Sequence, residues 1–222
     1  MSNPRAAFIV IEGLDRSGKS TQAQILKERL ESDHRRVELI KFPDRTTAIG
    51  KTIDSYLRSE SELDNHAIHL LFSANRWEHA TRITTLLQSG TTVLADRYAF
   101  SGIAFSAYKG LPYTWCRAPD IGLPAPDLTL FLDIEPAAAS ARGGYGAERY
   151  EREEVQRGVR GVFGTIGAEM SDGVGGSDGL GGSRWMEIDA GREMDEVARE
   201  IWDAVHPLLD KVGVRPVGRL WE

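Results

Sequence analysis

Short apolar runs separated by longer mixed segments set the rhythm of this chain. Residues 7–13 (AFIVIEG) are β-branched and aromatic and stop at Gly13, which predicts a buried strand. From Lys19 the spacing turns helical, with Ala23, Leu26 and Leu30 on one face. Residues 37–42 (VELIKF) predict a second strand and residues 92–95 (TVLA) a third, closed by Asp96. Residues 126–134 (PDLTLFLDI) predict a fourth, and residues 185–189 (WMEID) a fifth. Between the second and third, Ala67, Leu70, Leu71 and Ala74 recur at helical spacing in a segment running to about Gln88. Leu70, Leu71 and Ala74 are expected to face the core. Strands alternating with helices predict an α/β fold with right-handed crossovers and a five-stranded parallel sheet covered by helices on both faces. No internal repeat interrupts it.

Two stretches depart from this rhythm. Residues 142–158 (RGGYGAERYEREEVQRG) are glycine-rich and charged, which suits a mobile lid. Residues 171–183 (SDGVGGSDGLGGS) offer too little apolar surface to offset their chain entropy, so a flexible surface insertion is expected there.

Composition narrows the function. A chain of 222 residues suits a single domain spanning residues 1–222. A formal net charge of −6 without a dense Lys/Arg block disfavours duplex nucleic acid as a partner, yet leaves room for a local anion pocket. Cys116 is the single cysteine, so no intrachain disulfide forms and a reducing compartment, cytoplasmic or nuclear, is expected. The apolar run near the N-terminus is too short for a membrane span, and no membrane partner is expected.

The chemistry begins at residues 13–21, GLDRSGKST. A strand, then G-x-x-x-x-G-K-[ST], then a helix is the context of a phosphate-binding loop, so a three-layer P-loop NTPase fold is expected. Backbone N–H groups of Arg16, Ser17, Gly18, Lys19, Ser20 and Thr21 would converge on ATP phosphates, with the helix N-terminus adding positive potential. Lys19 would reach the transferred phosphate and Ser20 would ligate Mg²⁺. Asp96, closing a hydrophobic strand, is a candidate second Mg²⁺ anchor, and Arg97 beside it a holder of a second phosphate. The dinucleotide spacing G-x-G-x-x-G and the base-reading Asn-Lys-x-Asp element are both absent.

Six segments, FIVIEGLDRSGKSTQ, FPDRTTAIGK, HLLFSANRWE, ADRYAFSGIAFS, PDIGLPAPDLTLFLDI and GAERYE, together resemble the eukaryotic-type thymidylate kinases, over residues 7–157 and again at residues 185–189. The resemblance implies ATP and dTMP as substrates, Mg²⁺ as cofactor, transfer of the γ-phosphoryl group to give dTDP in dTTP biosynthesis, and a homodimer. It also implies roles. Asp15 faces the acceptor sugar and Arg16 serves as an arginine supplied in cis, with Lys19 and Arg97 the other catalytic cations. Phe42, Arg45 and Arg97 hold the acceptor's sugar and phosphate. Phe72 stacks on the base, and Arg76, one helical turn on, hydrogen-bonds a base carbonyl. Gly102 and Phe105 line the sugar site, and Tyr150 and Gln156 close over it. Arg142 stacks on adenine, while Asp189 and Ala190 cup its edge. Two other readings share parts of this pattern: a deoxynucleoside kinase, which needs a carboxylate base for a 5′-hydroxyl, and a non-catalytic nucleotide-binding switch, which needs no acceptor pocket.

Overall fold

The computed structural model describes residues 4–142, 146, 148–171 and 184–222. The expected glycine-rich insertion beyond Ser171, and residues 143–145 and 147 of the expected lid, lie outside the described residues. In chain order the elements are β1 (Phe8–Gly13), α1 (Lys19–Ser32), β2 (Val37–Lys41), α2 (Ala48–Leu57), α3 (Asn65–Gln88), β3 (Thr92–Asp96), α4 (Ala99–Tyr108) and α5 (Tyr113–Arg117). They continue with β4 (Leu128–Asp133), α6 (Pro136–Ser140), α7 (Glu153–Ser171), β5 (Arg184–Asp189) and α8 (Met194–Leu209).

The five strands form one parallel sheet in the order β2-β3-β1-β4-β5, in line with the α/β expectation. The three inner strands are apolar runs because helices cover both faces; β1 and β3 are buried at every position. The edge strands β2 and β5 are only partly buried, and their sequences are correspondingly more polar. On α1, Ala23, Leu26 and Leu30 are buried as their spacing predicts. On α8, Val197, Ile201, Val205 and Leu209 form a stripe one residue in four. Side-chain caps start α2 and α3: Thr47 accepts from the Gly50 N–H at 3.0 Å, and Asp64 from the His66 N–H at 2.8 Å.

One expectation fails. The buried stripe of α3 is Ile68, His69, Ser73, Asn75, Arg76, His79, Ala80, Ile83 and Leu87, whereas Leu70 is 47% exposed and Leu71 and Ala74 are only half-buried. The helix turns a polar face inward because its polar side chains find partners there: His69 meets Ser106 and the Cys116 carbonyl, Ser73 and Arg76 meet Asp120, and Asn75 meets the Asp44 backbone. The segment expected as a lid also divides, since residues 153–158 already belong to the first turns of α7.

Candidate active site

β1 runs into the phosphate loop at Gly13. A Cβ there would stand 2.6 Å from the Leu132 carbonyl oxygen, and φ is +150°, so only glycine fits. The loop carries Arg16 in the left-handed region, φ +63°, which costs a non-glycine residue free energy and points to a constrained, functional position. Lys19, at the start of α1, donates from Nζ to the Leu14 carbonyl at 2.5 Å and lies 3.4 Å from Ser17 Oγ. Burial first, then the charge of Arg97, pulls its ammonium down to about 7. A phosphate dianion drawn into the loop would reverse that shift.

Sheet register brings in the second carboxylate. Ile11 of β1 pairs with Asp96 of β3, which sets Asp96 beside the loop. Ser20 Oγ donates to Asp96 Oδ2 at 2.5 Å, and Asp96 Oδ1 is buried with no hydrogen-bond partner among the described residues. Lys41, at the end of β2, places Nζ 3.1 Å from Ser20 Oγ and 3.5 Å from Asp96 Oδ2.

Arg97 also adopts a left-handed conformation, φ +69°. Its Nη1 donates to the Gly13 carbonyl and to Ser101 Oγ, both at 3.0 Å, and its Nη2 pairs with Asp15. Glu12, fully buried in β1, stands behind it. Glu12 accepts from the N–H groups of Tyr98 and Ser101 at 2.9 and 3.0 Å and from Ser101 Oγ at 2.5 Å, so it caps α4 from the neighbouring strand. Gln156 of α7 brackets Asp15 from the other side: Oε1 accepts from the Asp15 N–H at 2.8 Å, and Nε2 donates to Asp15 Oδ2 at 2.7 Å.

A cavity of about 580 Å³ extends from this loop. Gly18, Lys19, Ser20 and Thr21 line one end, and Phe72, Arg76, Gly102, Phe105 and Tyr150 the other; Asp15, Arg16, Phe42, Arg45 and Arg97 lie between. Phe42 is buried against Tyr98 and His79. The Phe105 and Tyr150 rings are 5.1 Å apart, and the Tyr150 hydroxyl meets Tyr56 and Lys109. Both amino groups of Arg45 are engaged, by Asp54 and Glu148 at 2.7 Å each. Arg76, 2% exposed, is held by the carboxylate of Asp120. At Gly102 a Cβ would stand 2.8 Å from Arg76 Nη2, so any side chain there would press on the guanidinium that Asp120 holds.

The loop arginine, Arg142 and the residues after β5 form a separate group. Arg16 Nε donates to Glu151 at 3.0 Å. Arg142, which lines the cavity, links the phosphate loop to the turn after β5, donating to the carbonyls of Arg16 at 2.8 Å and Ala190 at 2.9 Å. Asp189 is exposed and accepts from the Gly191 N–H at 2.9 Å, shaping the turn after β5. Asp189, Ala190, Ser17 and Gln156 are not among the cavity's lining residues.

A family model described as thymidylate kinase matches residues 11–174. Thymidylate kinase of Schizosaccharomyces pombe is 50% identical over 93% of this chain and 97% of its own length. The Homo sapiens thymidylate kinase is 41% identical over the whole of both chains. The chain belongs to the thymidylate kinase family. A solved thymidylate kinase structure from Candida albicans superposes with a TM-score of 0.79 at 39% identity, covering 92% of each chain. The activity is accordingly that of a thymidylate kinase, a phosphotransferase acting on a phosphate acceptor, and the fold is that of the P-loop NTPases.

Within this thymidylate kinase, sequence reasoning missed three carboxylates behind the site: Glu12, which holds the Ser101 that in turn meets Arg97, Glu151 on Arg16 and Asp120 on Arg76. No spacing rule would find them, because each contact joins segments far apart in the chain. Arg149 of the ERY element turns away from the loop. It pins the segment before α7 to the end of α2, donating to the carbonyls of Tyr56 at 2.9 Å and Ser61 at 3.0 Å and pairing with Glu62.

Proposed function

We infer that the protein transfers the γ-phosphoryl group of ATP to dTMP, giving dTDP, with Mg²⁺ bound at Ser20 and Asp96. The observation that carries this reading is the continuity of one cavity from the phosphate loop to an end walled by Phe72 and Arg76, with Asp15 and Arg97 midway. A donor held by the loop and an acceptor stacked on Phe72 would meet near Lys19, Arg16 and Arg97. The acceptor phosphate is largely dianionic at neutral pH, since its second pKa is near 6, so no general base is required. The residues then act by positioning the two phosphates in line and by neutralising charge as it shifts. Closure of the segment ahead of α7 would exclude water and suppress hydrolysis of ATP.

The Mg²⁺ assignment is supported by the oxygen pair of Ser20 and Asp96 and by the buried Asp96 Oδ1, which no hydrogen bond among the described residues engages. No cluster of three metal-ligating side chains occurs among the described residues, which suits a cation that keeps most of its ligands as water and phosphate oxygen. Bound there, Mg²⁺ would supply charge neutralisation between the donor phosphates.

The base reading rests on Arg76. A guanidinium only donates, so it suits a pyrimidine carrying a 4-carbonyl and faces the amino group of cytosine donor to donor. Thymine should therefore be preferred over cytosine by roughly 10²-fold or more. The deciding measurement is ATP consumption with dTMP, dCMP, thymidine or no acceptor. Use of dTMP far above the others is expected, and equal use of thymidine or dCMP would sink the assignment.

A homodimer is supported by exposed Leu70 and Trp77, two turns apart on α3, and by exposed Ile121. Sedimentation should give a dimer that Trp77→Glu converts to monomer. A reducing cytoplasmic or nuclear location suits the buried free thiol of Cys116.

A further inference from the structure

Arg76 is not left to find the base by itself. The Asp120 carboxylate, fully buried 44 residues further along the chain, accepts from Arg76 Nε at 3.0 Å and from Nη2 at 2.6 Å. Ser73, one turn before Arg76, donates to the same carboxylate at 2.8 Å. This two-point fork fixes the guanidinium plane. No hydrogen bond among the described residues engages the remaining amino group, Nη1, which would stand 3.0 Å from a Cβ at Gly102 on the cavity wall. The loop that carries Asp120 is itself clamped from the far end of the chain. Gly122 N–H donates to the Leu220 carbonyl at 3.0 Å, Leu220 N–H to Leu123 at 2.9 Å, and Ala125 N–H to Gly218 at 2.8 Å, while Leu220 is buried in the core.

We propose that Asp120 is the positioning residue that makes the base end selective for a 4-oxo pyrimidine, by holding Arg76 with one amino group directed at the ligand. This deepens the thymidylate kinase reading and rests on it. Two physical consequences follow from the fork. The first is orientational: a guanidinium free to rotate would swing aside for the cytosine amino group or admit a water between them, and the donor–donor conflict would relax. The second is electrostatic. The acceptor carries a phosphate dianion, and an uncompensated buried cation at the base end would compete with Lys19 and Arg97 for it. Paired with Asp120, Arg76 offers a directed N–H and little net charge, so the ligand has one preferred orientation.

The test uses the full chain with a coupled assay of ADP release. kcat/KM is measured for dTMP and dCMP in wild type, Asp120→Asn, Arg76→Met and the double variant, with melting temperature alongside. Asp120→Asn should narrow the dTMP-to-dCMP ratio by about tenfold or more, against a wild-type ratio of roughly 10²-fold. The change should lie in KM, with kcat for dTMP within a few-fold of wild type. In the Arg76→Met background the same substitution should leave the ratio unchanged within about twofold, because the effect runs through that arginine. A folded Asp120→Asn protein with the wild-type ratio would overturn the proposal, and so would an equal effect in the Arg76→Met background. If Asp120→Asn does not fold, Ser73→Ala removes one donor from the same carboxylate and should narrow the ratio a few-fold; an unchanged ratio there also overturns it. A wild-type protein that ignores dTMP would instead defeat the functional reading itself.

Discussion

At the scale of single residues, the two arginines in left-handed backbone, Arg16 and Arg97, mark where the fold accepts a conformational cost. Arg16 borders the phosphate loop and its guanidinium meets Glu151 of the neighbouring segment. Arg16→Ala should leave ATP affinity within a few-fold of wild type and lower kcat with dTMP roughly 10³-fold, the scale for an arginine acting on a transferring phosphoryl group. Steady-state turnover together with ATP titration checks this; near-normal kcat would reduce Arg16 to a structural link. Lys19, Ser20 and Asp96 were legible in the sequence because the loop frame and the strand end fix their positions locally. Glu12, Asp120 and Glu151 were not. In the sequence Asp120 and Glu151 look like ordinary solvated carboxylates, and Glu12, though inside the predicted buried run, gives no sign of the helix N-terminus it caps.

At the scale of elements, the strands were readable because burial on both faces leaves an unbroken apolar run. Two helices defeated the same logic. α4 (AFSGIAFSAY) is buried along most of its length and has no amphipathic period to detect. α3 inverts the expected sides, since Ser73, Asn75, Arg76 and His79 face inward and Leu70 outward. The anchoring of the segment before α7 was not visible in the sequence. Arg149 reaches the carbonyls of Tyr56 and Ser61 and lies over the Tyr56 ring at 4.1 Å. Arg149→Ala should therefore loosen this segment and lower kcat/KM for both substrates about tenfold to a hundredfold, as misplacement of a closing element does. The share of ATP hydrolysed without acceptor should rise; an unchanged hydrolysis share would show that the anchor has no part in excluding water.

At the scale of the whole molecule, buried titratable groups set how stability follows pH. Burial, then the charge of Arg149, lowers Lys109 to about 8, and Lys19 lies near 7. The unfolded ammonium keeps its proton up to 10.5, so between about 7 and 10 the unfolded chain binds more protons and stability rises with pH. Burial shifts the acids the other way. Cys116 is raised from 9.0 to about 11, and Tyr98, Tyr113 and Tyr150 are raised above 10.0. Above about pH 9 the unfolded thiol, and toward about pH 10 the unfolded phenols, lose protons that the folded protein retains, which first offsets the lysines and then outweighs them. The ligand-free protein should grow more stable from pH 7 to about 9.5 and less stable above about 10, measured as urea midpoints across that range. Lys109→Met should flatten the rise between pH 8 and 9, and a profile that falls steadily from pH 7 would refute the burial of both lysines.

The pairing of cations with carboxylates inside the cavity changes how it meets its ligands. Arg97 rests on Asp15, Arg16 on Glu151, Arg45 on Asp54 and Glu148, and Lys41 against Asp96. An arriving nucleotide does not fall into an open positive field; it takes over cations already engaged by the protein's own acids, in the manner of an ion exchanger. Dissolved salts weaken the incumbent contacts and the incoming ones alike. Small inorganic anions, which bring charge but neither a base nor a sugar, gain little from such an exchange, and sulfate should be a poor inhibitor even at concentrations that fill ordinary phosphate loops.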